Sequence, residues 1–292
     1  MNVVKLARWT QPSFLKLAAS SSTPQFLAIP YSHYCEMAAW TLSKSNTSFK
    51  SYWYAPGEHV LPTLSVRIGD PNATHLATSS RTQSIQKPSS RPNPTSVPLL
   101  ILPSGKVLAD SWDIASHALP SSASIDPALL DILDNSLAPL SRQFVYIYLL
   151  NPAHRSLWND LIYSVASPAF SLAWRLFAGD VVTNKMTKMF QSTNATANAK
   201  CIESLRESFG KVSAFIEDNA EPYIGGSSPS IADYAIASLA SPAILPAKYC
   251  GGEFNELFER LMQESEEAKR LVEEFRKTPA GVHCLKMYEL HR

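Results

Sequence analysis

The sequence predicts an α/β domain followed by an all-helical one, on three observations. Between residues 26 and 119, short apolar or aromatic runs alternate with helical patterns and with Pro/Gly turns, as in strands interleaved with helices. From Asp126 onward the β signal fades and long helical patterns take over. The length of 292 residues suits two domains at roughly 100 to 200 residues each. The expected division is an N-terminal extension (1–25), an α/β domain (26–120) with an inserted loop (71–96), and an all-helical domain (121–292).

Each element has its own signal. Residues 26–29 form an apolar strand that meets Pro30, and beyond Ser32 the run Met37, Ala38, Trp40, Thr41, Leu42 has helical spacing. The aromatic stretch 49–54 suits a second strand closed by Pro56-Gly57. Residues 61–68 fit a short helix or a strand equally well. Residues 71–96 are rich in Ser, Thr, Asn and Pro, contain no acidic residue apart from the preceding Asp70, and read as an exposed loop. Residues 97–102 form a strand entered through Pro98, the turn 103–106 contains Gly105, and 107–109 returns. Asp110-Ser111 then stands where a helix cap belongs, before 112–119.

In the second half, helices are expected over 127–150, 198–217 and 253–277. The apolar stretch 161–182 is interrupted by Ser164, Ser167, Pro168, Ser171 and Arg175. It falls short of the roughly 18 uninterrupted apolar residues of a membrane span and is expected to be a buried helix or helix pair. Ser230-Ile231-Ala232-Asp233 places a hydroxyl three residues before a carboxylate, the logic of a reciprocal helix cap, and Gly225-Gly226 supplies the preceding turn.

Composition narrows the function classes. Hydrophobic residues make up 45%, which excludes wholesale disorder. A formal charge of +1 gives no global argument for a nucleic-acid or anionic-membrane partner, so any charge effect must be local. Cys35, Cys201, Cys250 and Cys284 are widely spread, and their spacing indicates neither a disulfide framework nor a metal module. A reducing, cytoplasmic compartment fits. The first 35 residues carry Lys5, Arg8 and Lys16 with no acid before Glu36, so a mitochondrial or plastid transit segment is the alternative.

Pro30-Tyr31-Ser32-His33-Tyr34-Cys35 lies between a strand and a helix, so backbone amides and polar side chains gather at a helix N-terminus, which favours an anion. A thiolate held there is stabilised by the dipole and by a hydroxyl donor, from Ser32 or Tyr34. Capping by Ser32 and packing by Tyr34 are the plainer structural roles.

The run Ser32-His33-Tyr34-Cys35-Glu36-Met37-Ala38-Ala39-Trp40-Thr41-Leu42 resembles the active-site turn and first helix of glutathione transferases with a catalytic serine. Val97-Pro98 resembles that family's cis-proline strand entry, and Asp110-Ser111 its acid-serine dipeptide. Pro222-Tyr223-Ile224-Gly225-Gly226 with Ser230-Ile231-Ala232-Asp233 is similar to the motif that opens a core helix of its helical domain. The resemblance implies a thioredoxin-like domain followed by a helical bundle. It implies a catalytic group of Ser32, Tyr34 and Cys35, with Ser32 on the glutathione sulfur. Val97 and Pro98 would pair with the cysteinyl part, and Asp110 and Ser111 would hold the γ-glutamyl end. Glutathione would be the co-substrate, with no metal, conjugating or reducing an apolar electrophile in a detoxifying reaction, and a homodimer would be the assembly.

Met37 and Ala39 stand where the family usually has cations, and His33 replaces a common proline and is expected to face water. Two alternatives accompany the transferase: a non-catalytic ligand-binding or assembly protein of the same fold, and a thiol oxidoreductase working through Cys35. Tyr146, Tyr148, Trp158, Phe170 and Trp174 are candidates for an acceptor pocket, although aromatics at helical spacing more often belong to a core.

Overall fold

The structure, a computed structural model, describes residues 21–45, 48–69, 95–122, 124–219 and 222–292. The targeting reading of the N-terminal extension, for residues 1–20, and the insertion, for 70–94, lie outside the described residues. Two compact units result. One holds the described residues up to Pro120 together with Ile162–Leu172, and the other holds Ser121–Leu161 and Ala173–Arg292.

The first unit is built on a four-stranded sheet of order β2-β1-β3-β4. Its elements are β1 (Gln25–Ala28), α1 (His33–Lys44), β2 (Lys50–Trp53), α2 (Val60–Gly69), β3 (Leu99–Ile101), β4 (Val107–Leu108) and α3 (Ser111–Ala118). β1 and β2 are parallel, while β1/β3 and β3/β4 are antiparallel, which is thioredoxin-like topology. Strand alternation sorts the core into two layers. Phe26, Ala28, Leu100 and Leu108 pack with Cys35, Ala38, Leu42 and Ile114 of α1 and α3. Leu27, Leu99 and Val107 pack with Tyr54 and with Val66 of α2. The undecided stretch 61–68 is therefore helix, with Val66 turned to the sheet. Residues 162–172 join this unit where the Glu58 carboxylate accepts from Ala55 N–H (3.1 Å) and Ser167 N–H (3.2 Å).

The second unit is helical: α4 (Pro127–Ile132) and α5 (Ala138–Leu149) joined by a π-turn (Leu133–Leu137), then α6 (Arg155–Val165), whose last turn belongs to the first unit. α7 (Pro168–Ala173), which belongs to the first unit except for its last residue, runs through a second π-turn (Trp174–Ala178) into α8 (Gly179–Phe190), followed by α9 (Ala195–Asn219) and α10 (Ile231–Ile244). α11 (Asn255–Glu264), α12 (Glu266–Arg276) and α13 (Pro279–His291) complete it. Every residue of α10 is buried, so it is the core helix. Pro242 within it has no N–H for the Ser238 carbonyl, and the Ser241 hydroxyl donates there instead (2.7 Å).

Two expectations are corrected. The stretch 253–277 is two helices, because Ser265 adopts an extended backbone, ends α11 and caps α12 by accepting from Ala268 N–H (3.2 Å). The stretch 161–182 is not a buried helix pair: α7 buries no residue, and Leu176, Phe177 and Val181 are exposed. Among the described residues no helix is long and apolar enough to cross a membrane.

Candidate functional site

Register brings the candidate residues together. Leu27 faces Leu99 across β1/β3, so the same antiparallel pairing continued outward sets Pro98 beside Ala28 and Val97 beside Ile29. Leu100 faces Leu108 across β3/β4, so the end of β4 that leads into Asp110-Ser111 lies at the end of β3 that follows Val97-Pro98. The Ser32 turn, Val97-Pro98 and Asp110-Ser111 thus share one end of the sheet. Both α1 and α3 start there, so two helix N-termini put their unsatisfied amides and positive dipole ends at that edge.

Ser32 is the N-cap of α1, half-buried, with Oγ accepting from Cys35 N–H at 3.4 Å. Capping uses a lone pair of the hydroxyl and leaves its O–H for donation to a bound acceptor. Tyr34 is half-buried, with its ring 4.2 Å from that of His33. The expectation that His33 faces water is corrected: it is buried at 2% exposure, because the first turn of α1 faces inward.

Cys35 is fully buried, accepts at Sγ from Ile29 N–H (3.5 Å), and sits under the cap. Burial pushes its thiol pKa up to about 12, with Glu36 adding to the rise and Ser32 and Ile29 opposing it. At neutral pH it is a thiol shut away from solvent, which weighs against a nucleophile at this position. Glu36, which sequence reasoning passed over, is itself buried at 2%. Met37 is fully buried as well, so its side chain belongs to the core.

The Val97-Pro98 bond is cis. Val97 lies outside the β1/β3 ladder with its side chain packed on the core, and Pro98 is buried. Asp110, half-buried, caps α3 by accepting from Trp112 N–H (2.8 Å), and Ser111 is the buried first residue of that helix.

His59, in the turn before α2, is a further residue that sequence reasoning missed. Its Nδ1 accepts from Gly57 N–H (3.1 Å). Burial lowers its pKa, partly countered because the protonated ring can donate from the same Nδ1 to the Ala55 carbonyl (3.4 Å) and can bond the Thr95 backbone, so the ring links the β2–α2 turn to the segment just before Val97. Its position two residues after Pro56-Gly57 was the available signal.

The aromatic candidates of the second unit serve its interior. Trp158 is fully buried and donates from Nε1 to Thr183 Oγ1 (2.9 Å), Trp174 donates to Asn159 Oδ1 (3.1 Å), and Tyr148 is 4% exposed. Half-buried Tyr146 packs its ring at a tilt against Phe190 (4.4 Å), and Phe170, in the first unit, packs over Gly57. Cys201 and Cys284 are buried on helices, but Cys250 sits at φ 54° in the turn before α11 rather than on a helix. Among the described residues no group of His, Cys, Asp and Glu is arranged to hold a metal.

The fold class is thus a thioredoxin-like α/β domain and an all-helical domain in one chain. No protein-family model matches the chain, and no curated protein matches it. Among solved structures it is similar to a glutathione S-transferase of Ceriporiopsis subvermispora in complex with glutathione, at 17% identity and TM-score 0.48, covering 87% of this chain and 97% of that one. It is similar to a glutathione transferase of Pseudomonas putida with glutathione disulfide bound, at 13% identity and TM-score 0.45, covering 98% and 99%. The nitrogen regulation fragment of the yeast prion protein Ure2p is a third, at 14% identity and TM-score 0.45, covering 91% and 96%. At these TM-scores the likenesses stand as likenesses, and the fold rests on strand order, register and helix content.

Proposed function

We propose that this chain is a glutathione transferase that binds glutathione at the Ser32 end of its α/β sheet and joins the tripeptide through its thiol sulfur to an apolar electrophile. The observation that carries the reading is the strand register, which supports a single site composed of the Ser32 cap, the Val97-Pro98 backbone and Asp110-Ser111 between two helix N-termini. A tripeptide with one thiol, two carboxylates and one ammonium suits that set. Backbone outside a strand ladder pairs with a peptide, and helix N-termini take carboxylates. The Asp110 carboxylate takes an ammonium.

In the reaction the Ser32 hydroxyl donates to the glutathione sulfur, which favours thiolate, and the thiol proton leaves to solvent. The thiolate attacks an electrophilic carbon; a sulfur–carbon bond forms and the leaving group departs with its electron pair. Cys35 takes no part. Calorimetric titration with glutathione tests the site: saturable binding weakened by Asp110→Ala and by Ser111→Ala is expected. Absence of binding up to about 10 mM, beyond even weak affinity, overturns it.

One observation favours a second reading, binding without turnover. The start of α1 carries buried Glu36 and Met37 and no cation, so the local field stabilises a thiolate less. The two readings separate on the pH titration of the ultraviolet thiolate absorbance of bound glutathione. A transferase lowers that pKa below its value in free glutathione, and Ser32→Ala restores it; a carrier leaves it unchanged.

A further inference from the structure

The segment Arg175 to Met189, the second π-turn and α8, has an inner face fixed in the second unit and an outer face that none of the unit's described residues covers. Inside, Trp174, Gly179 and Thr183 are buried. Thr183 Oγ1 receives the Trp158 indole N–H (2.9 Å) and donates to the Gly179 carbonyl (2.6 Å). Gly179 is required there, because a Cβ would stand 2.7 Å from the Trp174 carbonyl oxygen. This pinning sets which residues project outward, and the extra residue of the π-turn widens the outer face at Leu176 and Phe177.

Four of the outward residues are large and apolar: Leu176, Phe177, Val181 and Met189, each between 62% and 69% exposed. Interleaved with them are exposed Arg175, Lys185 and Lys188, none in an ion pair among the described residues. The one acid on this face, Asp180, is held by Arg155. The result is a ridge of about 22 Å, at about 1.5 Å per residue, combining apolar tips with uncompensated positive charge.

We infer that this ridge is a docking surface for an anionic lipid interface. Apolar side chains on a helix lying in the interface plane enter the headgroup–acyl boundary, while Arg and Lys stems run along it and keep their charges at the phosphates. Charge decides the occupant. A second copy of this chain, packed on the same ridge about a two-fold axis, would bring three cations against three, with its single acid already engaged by Arg155. A surface of negative headgroups meets all three cations at once, which supplies locally the attraction that a net charge of +1 does not.

The test is co-sedimentation of the full chain with phosphatidylcholine vesicles and with vesicles containing phosphatidylglycerol, at low and high salt. Binding to the anionic vesicles alone, weakened by salt, is expected. The double variant Lys185→Glu/Lys188→Glu is expected to weaken it at least about tenfold, and Phe177→Ser, which leaves the charges in place, is expected to weaken it as well. Circular dichroism and urea unfolding of each variant check that it is folded. No sedimentation with anionic vesicles overturns the proposal, as does binding that neither variant changes. A protein that instead dimerises in solution, and loses the dimer in both variants without ever binding vesicles, assigns the ridge to a second copy and overturns it too.

Discussion

At Ser32 and at Ser230 a serine stands before the first turn of a helix, yet the two ends are wired differently. Ser32 makes one long bond, from Cys35 N–H at 3.4 Å, and stays half-buried at an edge where two helices begin. Ser230 sits in a closed polar cluster around Asp233, which has no exposure at all. Asp233 accepts from Ile224 N–H (2.9 Å), Gly225 N–H (3.2 Å), Ser230 N–H (2.8 Å) and the Ser230 hydroxyl (2.8 Å), and His283 Nε2 lies 3.1 Å away. The turn that presents those amides is a tight one, with Tyr223 and Gly226 exchanging both backbone bonds. It closes only because Gly225 has no Cβ, which would lie 2.4 Å from the Ser228 carbonyl oxygen. A cap whose capacity is spent on its own chain is architecture, whereas one with an O–H to spare at an open edge can serve a ligand.

The largest effect expected is at the closed cap. Asp233→Ala strands four donors, two of them the turn amides of Ile224 and Gly225, and should lower the stability of the protein by about 3 kcal/mol or more. Urea unfolding measures it, and a cost no larger than that of Ser32→Ala would break the comparison. The same cluster sets a pH dependence. Burial by itself would raise the Asp233 carboxyl, but the bonds from His283, Ser230 and Ile224 outweigh it and hold the pKa below the ordinary value. The folded-state pKa is therefore the lower one, so this stabilisation is complete above an unfolded value of about 3.9 and is lost as pH falls through the folded one. Asp233→Asn should be less stable at neutral pH and should show a shallower decline in acid.

A smaller effect is expected at His59, which ties the β2–α2 turn to the segment that leads into Val97. Its pKa is lowered, mainly by burial, so the neutral ring is the one the fold prefers. Its contribution is complete above about pH 6.5 and declines as pH drops through the folded pKa, when protonated Nδ1 no longer accepts from Gly57 N–H. His59→Ala should cost about 1 kcal/mol at pH 8 and should remove that decline, measured by unfolding at a series of pH values. An unaltered profile would show that the ring plays no part in holding the turn.

How much of this was readable in advance follows the range of the interactions. The sheet, the Ser32 turn, the strand entered through Pro98 and the reciprocal cap at Ser230–Asp233 are written in runs of four to ten residues, so local pattern carries them, whereas the cis bond at Val97-Pro98 is an implication of the family resemblance. What local pattern missed depends on distant partners. His33 has the composition of a surface residue and is buried only because the first turn of α1 faces inward. Residues 161–182 look apolar enough to be core, but only Trp174, Gly179 and Thr183 of the later part turn inward, and no period in the sequence distinguishes them from Leu176 and Phe177. The break at Ser265 was visible as a cap signal, yet the charge pattern around it runs on without interruption. Cys35 stands at the position that suggests reactivity, and its inertness follows from packing by strands and helices far along the chain.

The smallest change in stability belongs to Ser32, and it sharpens the comparison most. Replacing a capping serine by alanine costs about 1 kcal/mol in a well-formed cap, and by glycine only a few tenths. With a single bond of 3.4 Å, Ser32 should sit at the low end of that scale. Ser32→Gly should therefore unfold at nearly the wild-type urea concentration, and Ser32→Ala slightly earlier. Both remove the same hydroxyl donor, so if that donor stabilises the glutathione thiolate, both should lose turnover to a similar extent, on the order of a hundredfold. Steady-state kinetics with a reactive aryl halide, run beside the unfolding curves, makes the separation visible. Equal loss of turnover at unequal stability assigns the hydroxyl to chemistry. A loss that tracks the stability ranking would mean that Ser32, like Ser230, is only a cap.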